Sequence, residues 1–312
     1  VRRDPFLDLL RTVSVTRVVL LHVLTRPPIV YLPWIQWIYP GMPEVFFVSG
    51  AVMAVSLAKR DASTVVRGRL RRLLPPFVPY ALAALLVMRV TDVRSADPAA
   101  TLRWGDVLTW LVPFLRAEGS ETRVILWGHV WFLSAFLWLI VLAPLVAWLR
   151  RRLGRFAGAE VAVPLAGFAT VVAWEKLAGS APREELVNAT LFGTFFVLGF
   201  SYVDGWLGRL KASTLTAMAV ACAAAGTLTA LVIEPIHRKP LNELYSSHTA
   251  HLLIGGAWLF AALAVAGPVR RWAEGRRLGC VGFLTQRTYT LFLWGPAANA
   301  VAVTVAKRLM PD

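Results

Sequence analysis

Residues 126–149 read LWGHVWFLSAFLWLIVLAPLVAWL, with no Lys, Arg, Asp or Glu, and run directly into RRRLGR at 150–155. A helix rises 1.5 Å per residue, so this stretch is about 36 Å long, enough for the roughly 30 Å of hydrocarbon in a bilayer. Similar apolar runs occur at 158–174, 186–203, 212–233, 249–267 and 278–306, with weaker ones at 6–25, 45–58 and 74–90. One such run suits a buried core helix. This many predict an all-α protein, a polytopic membrane bundle of about nine or ten helices forming a single domain over 1–312.

Composition agrees. Hydrophobic residues make up 57% and charged residues 16%, and the mean hydropathy is +0.60, too little polar surface for a soluble chain of 312 residues. The formal net charge of +15 would suggest nucleic acid in a soluble protein. Here the basic residues cluster between apolar runs, in RGRLRRL (67–73), RRRLGR (150–155) and RRWAEGRR (270–277). That pattern marks cytoplasmic loops and argues against a nucleic-acid partner. Cys222 and Cys280 lie in or beside apolar helices with no CxxC or His-rich neighbourhood, so no metal or redox centre is expected.

With Arg2 and Arg3 cytoplasmic, the first helix runs outward over about 6–25; lacking a small-residue cleavage site, it reads as a membrane helix rather than a removable signal. RPPIVYLPWIQWIYPG then forms an outer loop, whose Tyr31, Trp34, Trp37 and Tyr39 suit interfacial anchoring or stacking on a sugar. A second helix (43–59) returns to the basic segment, and a third (74–90) starts at Pro75 and Pro76. Segment 106–115 is short and contains Pro113, so it reads as re-entrant or interfacial, which leaves the C-terminus outside; a crossing there would bring it inside.

Charges within membrane helices are costly and therefore informative. Arg11 and His22 are eleven residues apart, which returns them to within about 20° of one helix face, roughly 16 Å apart along the axis. They would serve different parts of a long substrate, with His22 suited to general-base work. Read by residue type alone, His22 also fits an interfacial position, and Arg11 a snorkelling one. Arg17 lies on another face and suits either an acidic partner such as Glu44 or a substrate phosphate. Ser49 and Gly50 offer a small surface for close packing; no GxSxG elbow surrounds Ser49. Glu175, Lys176, Asp204, His248 and His251 sit near helix ends and read as caps or interface contacts.

The pattern resembles the acyltransferase 3 family of bacterial membrane proteins. LDLLR…RVVLLH (7–22) matches the family's first-helix arginine and histidine, Arg11 and His22, with Arg17 in the RVVxxH variant. MPEVFFVSG (42–50) resembles the MPxFFFxSG segment, which contains Glu44. RLRRLLPPF (69–77) resembles the basic segment, with Arg69 and Arg72 as the paired arginines. HVWFLSAFLWLIVLAPL (129–145) and QRTYTLFLW (286–294) resemble two later helices. Departures are Val45 in the phenylalanine triplet, Phe292 for a tyrosine and Gly295 where the pattern has histidine.

The resemblance implies a multi-pass bacterial plasma-membrane O-acyltransferase. Its donor would be an acyl-CoA, acetyl-CoA by expectation, and its acceptor a hydroxyl of a sugar, envelope glycan or secreted metabolite. His22, Arg11 and Glu44 then belong to the reacting site, while Arg17, Arg69 and Arg72 hold the donor. Membrane lipids, acyl-CoA and a carbohydrate or hydroxylated acceptor are the partners, and no metal is involved. Intramembrane Arg and His also suit a transporter or flippase, and Gly295 suits a catalytically inactive relative.

Overall fold

The computed structural model describes residues 4–24, 37–92, 104–114, 126, 130–156, 158–178, 184–203, 206–233, 247–274, 276 and 279–309. The described secondary structure is helical. Its α-helices are α1 (Pro5–Leu24), α2 (Met42–Leu57), α3 (Ala62–Asp92), α4 (Trp104–Leu111), α5 (Trp131–Leu153), α6 (Ala162–Ala178), α7 (Glu184–Val203), α8 (Ala212–Leu228), α9 (His248–Ala264), α10 (Ala266–Ala273) and α11 (Gly279–Leu309). Four helices are long and apolar enough to cross a membrane, over Ala62–Val90, Trp131–Leu153, Glu184–Val203 and Ala212–Leu231; α9 with α10 makes a fifth if the bent pair is one span. The fold is thus a polytopic membrane bundle. Two further expected crossings fall on less uniform helices: α1 carries Asp8, Arg11 and Arg17, and α2 is a shorter apolar helix of 16 residues.

Chain packing divides the molecule into two compact units, 1–59 with 143–288 and 60–142 with 289–312. In the first, α2 packs on α7, α1 and α9, α8 packs on α9, and α6 on α7. A helix that is apolar all round belongs inside. The apolar window of α7 is 72% buried, against 28% for α8, so α7 is central and α8 peripheral. Small residues set the α2–α7 spacing: a Cβ on Gly50 would overlap the Phe196 carbonyl, and one on Gly199 the Phe47 carbonyl. Gly255 of α9 likewise meets Pro43. The 52° bend between α9 and α10 has a local cause. Pro268 has no N–H to offer the Ala264 carbonyl, and α9 ends at Ala264.

At one end of this unit Asp4, Tyr202 and Arg270 form a clasp. Arg270 Nε donates to Asp4 Oδ1 at 3.2 Å and its Nη2 to Asp4 Oδ2 at 3.1 Å, while Tyr202 Oη donates to Asp4 Oδ2 at 2.8 Å. Arg270 therefore sits on helix α10, although the sequence pattern places 270–277 in a loop.

In the second unit, α3 is one helix of 31 residues. This corrects two sequence expectations. The basic run 67–72 occupies helical turns rather than a loop, and Pro75 and Pro76 lie inside the helix rather than at its start. A helix of about 46 Å is longer than the hydrocarbon core, so charged turns can continue beyond it. The prolines withdraw three backbone donors, those that would serve the carbonyls of Arg71, Arg72 and Pro75. The start of α3 is capped by Asp61, which accepts from Thr64 N at 3.0 Å and from Ser63 Oγ at 2.6 Å. Those bonds, the Ser63 hydroxyl first, hold the Asp61 carboxyl below its ordinary range.

The core of this unit is aromatic. Phe132 meets Phe292 edge-on at 4.2 Å between centroids, and Tyr80 meets Trp294 at 5.3 Å. Tyr289 Oη donates to the Leu73 carbonyl at 3.0 Å. Phe292, which departs from the family pattern, is thus a buried packing residue. Helix α4 has 8 residues, about 12 Å, too short to cross on its own.

Candidate active site

The continuous helix α1 carries Arg11, Arg17 and His22. Arg11 and Arg17 are half-buried, and Arg11 has contacts within the structure. His22 lies on the last helical turn, and its side chain is outside the described residues. Of the outer aromatic loop, Tyr31 and Trp34 are also outside them.

Where α1 faces the start of α2, the chain gathers a polar site in the first unit. Glu44 stands in the first turn of α2 and is fully buried. Its carboxylate faces the backbone N–H groups of Gly41 and Glu44, but neither oxygen reaches a hydrogen-bond partner among the described residues. The positive end of the α2 dipole and the charge of Arg17, whose Nε and Nη1 are shielded from solvent, oppose the cost of its burial, which remains the larger effect. Arg17 is thus near enough to act on Glu44 through its charge, one of the two options expected for Arg17, without a hydrogen bond to either carboxylate oxygen.

The backbone entering α2 is shaped for this approach. Gly41 has φ 82°, and a Cβ there would lie 3.0 Å from the Ser14 carbonyl oxygen and from Val18 Cγ2, so only glycine fits. Tyr39 has φ 87°, a conformation costing a non-glycine residue about 1–3 kcal/mol. Two contacts hold it there. Its ring meets Trp258 edge-on at 5.4 Å, and its hydroxyl lies 2.8 Å from Ser14 Oγ. Ser14 spends its own proton on the Leu10 carbonyl at 2.6 Å, so Tyr39 is the donor. Burial, and then the Glu44 charge, push the Tyr39 phenol well up from its ordinary value, which keeps that proton in place.

Arg69 and Arg72 belong to the second unit, on the basic turns of α3. Arg69 is half-buried and Arg72 exposed. Ser49 spends its hydroxyl on the Val45 carbonyl at 2.8 Å, in keeping with a packing role.

Several polar clusters were not legible in sequence. His251 stands in the first turn of α9, at a helix end as expected, but is 4% exposed and meets Phe192 edge-on at 5.5 Å, a burial the sequence did not show. Arg150, expected as a loop charge, is buried; its Nη1 bonds Glu160 Oε1 and donates to Ser201 Oγ at 3.2 Å. Glu160 Oε2 accepts from Gly158 N at 2.6 Å. Removing one side of a buried ion pair costs about 3–5 kcal/mol. Arg150→Ala is expected to lower the thermal midpoint in detergent sharply, and Arg150→Met with Glu160→Gln to restore most of it. Among the described residues no three His, Cys, Asp or Glu side chains gather as a metal site.

These features define an integral membrane protein with a buried, charged site between two helices. A family model described as an acyltransferase domain matches residues 4–298, and the chain belongs to this family, the acyltransferase 3 family. No curated protein and no solved structure matches the chain. Family and helical topology together give a membrane acyltransferase-like function.

Proposed function

We propose that the chain acts as one domain, an O-acyltransferase of the bacterial plasma membrane that moves an acyl group, acetyl first among them, from acyl-CoA to a hydroxyl of a sugar, envelope glycan or secreted metabolite. The observation that carries this reading is the family match over residues 4–298, which includes the helix bearing Arg11 and His22. The imidazole of His22 takes the acceptor's hydroxyl proton as that oxygen attacks the thioester carbon. The C–O bond forms, the C–S bond breaks, and the thiolate of CoA leaves, to be protonated in turn. Arg11 shares the face of α1 with His22 and stabilises the oxyanion or the donor. Glu44 and Arg17 set the geometry where α1 meets the start of α2.

The donor's diphosphate suits the guanidinium groups of Arg69 and Arg72. Arg69→Ala with Arg72→Ala is expected to raise KM for acyl-CoA by about tenfold or more, since a hydrogen bond to a charged group contributes about 1.5–3 kcal/mol. The value of kcat should change less. A loss confined to kcat would remove these arginines from donor binding.

The overall reading is tested with radiolabelled acetyl-CoA and purified protein in lipid nanodiscs, with and without crude envelope glycan. Label moving to an acceptor supports it. Absence of turnover with acetyl-CoA and with longer acyl donors overturns it.

A further inference from the structure

The C-terminal ends of α2, α5 and α7, in the first unit, line an open cavity of about 470 Å³ that the proposed reaction does not use. Its volume lies within the range of small-ligand sites. The walls have two characters. Leu57, Phe200 and Trp206 supply apolar surface, and Arg150, Arg151 and Arg209 are also among the lining residues, none of which is acidic.

Behind the wall stands Glu160, and its oxygens are committed: Oε1 to Arg150 and to Ser201 at 3.1 Å, Oε2 to the Gly158 N–H. Glu160 thus balances Arg150, which is itself 6% exposed and fixed, and Arg151 adds a further positive charge to the lining residues. The helix ends add partial negative charge, about half an elementary charge each and confined to the last turn. That offsets part of the excess. Trp206 packs the N–H edge of its indole against Gly158, so it serves the wall as apolar surface. Phosphate oxygens match guanidinium forks, so a ligand rich in acceptor oxygens suits the arginines of this wall.

We infer that this cavity is a second anion site, separate from the reaction, which takes a phosphate group on Arg151 and Arg209 with Trp206 and Phe200 as its apolar wall. The phosphate can come from an anionic phospholipid or from a soluble pyrophosphate, because the recognising chemistry is the same.

The test reads binding rather than acyl transfer, so its failure leaves the proposed activity untouched. In one arm the protein is extracted from phosphatidylcholine–phosphatidylglycerol nanodiscs, and retained lipid is counted by native mass spectrometry. In the other, labelled inorganic pyrophosphate is equilibrated with protein in phosphatidylcholine alone. Arg151→Ala is expected to reduce binding about tenfold in at least one arm, with Arg151→Lys recovering part of it; Arg151 is exposed, so folding should survive, as size-exclusion would verify. The control is Arg152→Ala. Arg152 follows Arg151 on the same helix but stacks on Trp148 at 5.6 Å and does not line the cavity, so binding should hold. A loss in the lipid arm alone assigns a headgroup site, and a loss in the pyrophosphate arm alone a soluble ligand. No binding in either arm, no effect of Arg151→Ala, or an equal effect of Arg152→Ala overturns the proposal.

Discussion

His22→Ala is expected to cut acyl transfer by about 100- to 10,000-fold, the usual contribution of a positioned general base, with yield and monodispersity close to the parent. At about 1.36 kcal/mol per tenfold change in rate, that corresponds to roughly 3–5 kcal/mol of barrier. The loss should fall on kcat, because the imidazole acts on a proton in flight rather than on the bound donor. Raising the pH is expected to recover part of the rate in the variant, since hydroxide can then remove the acceptor's proton. Unchanged turnover in His22→Ala would remove the histidine from the chemistry. A variant that no longer purifies as a single species would instead give His22 a structural place at the end of α1.

Gly50→Val is expected to have the largest effect on folding. The clash is with the Phe196 carbonyl, a backbone atom of the most buried helix, so no rotamer change relieves it. Overpacking of ordinary side chains costs about 1–3 kcal/mol. Here α2 and α7 must separate along their length, and the cost should exceed that range against a total stability of about 5–15 kcal/mol. Little folded protein is expected on size-exclusion. Gly282→Ala is the control: a Cβ there meets open space, and replacing a helical glycine with alanine gains about 0.5–1 kcal/mol. Equal yields of the two variants would mean that α2 and α7 are not held at glycine contact.

How much of this could be read in the sequence follows from the range of each interaction. The long apolar helices were legible because membrane crossing is a local property of about twenty consecutive residues. So were the start of α2 after Gly41 and the closeness of its Gly50 face. The length of α3 was not, because a double proline reads as a boundary, whereas the structure carries the helix through it. At the candidate site, Arg17 beside Glu44 was one of two options that charge cost suggested. The Tyr39–Ser14 bond was out of reach, since it depends on an unusual φ. The Arg150–Glu160–Ser201 cluster was hidden for another reason: Arg150 stands first in RRRLGR, a run that charge statistics assign to a loop, and the partner that buries it sits in a short 3-10 turn.

The clasp of Asp4 with Arg270 bears on how the protein is made. Its partners are 266 positions apart, and a ribosome adds about 5–20 residues per second. The start of α1 therefore waits roughly 10–50 seconds after synthesis for the arginine that completes its ionic contact. During that interval the nascent chain inserts most of its helices with Tyr202 as the earlier of the two partners available to this end. Closure of the clasp then falls among the last steps of assembly, and a chain truncated before α10 would leave the carboxylate of Asp4 without its arginine.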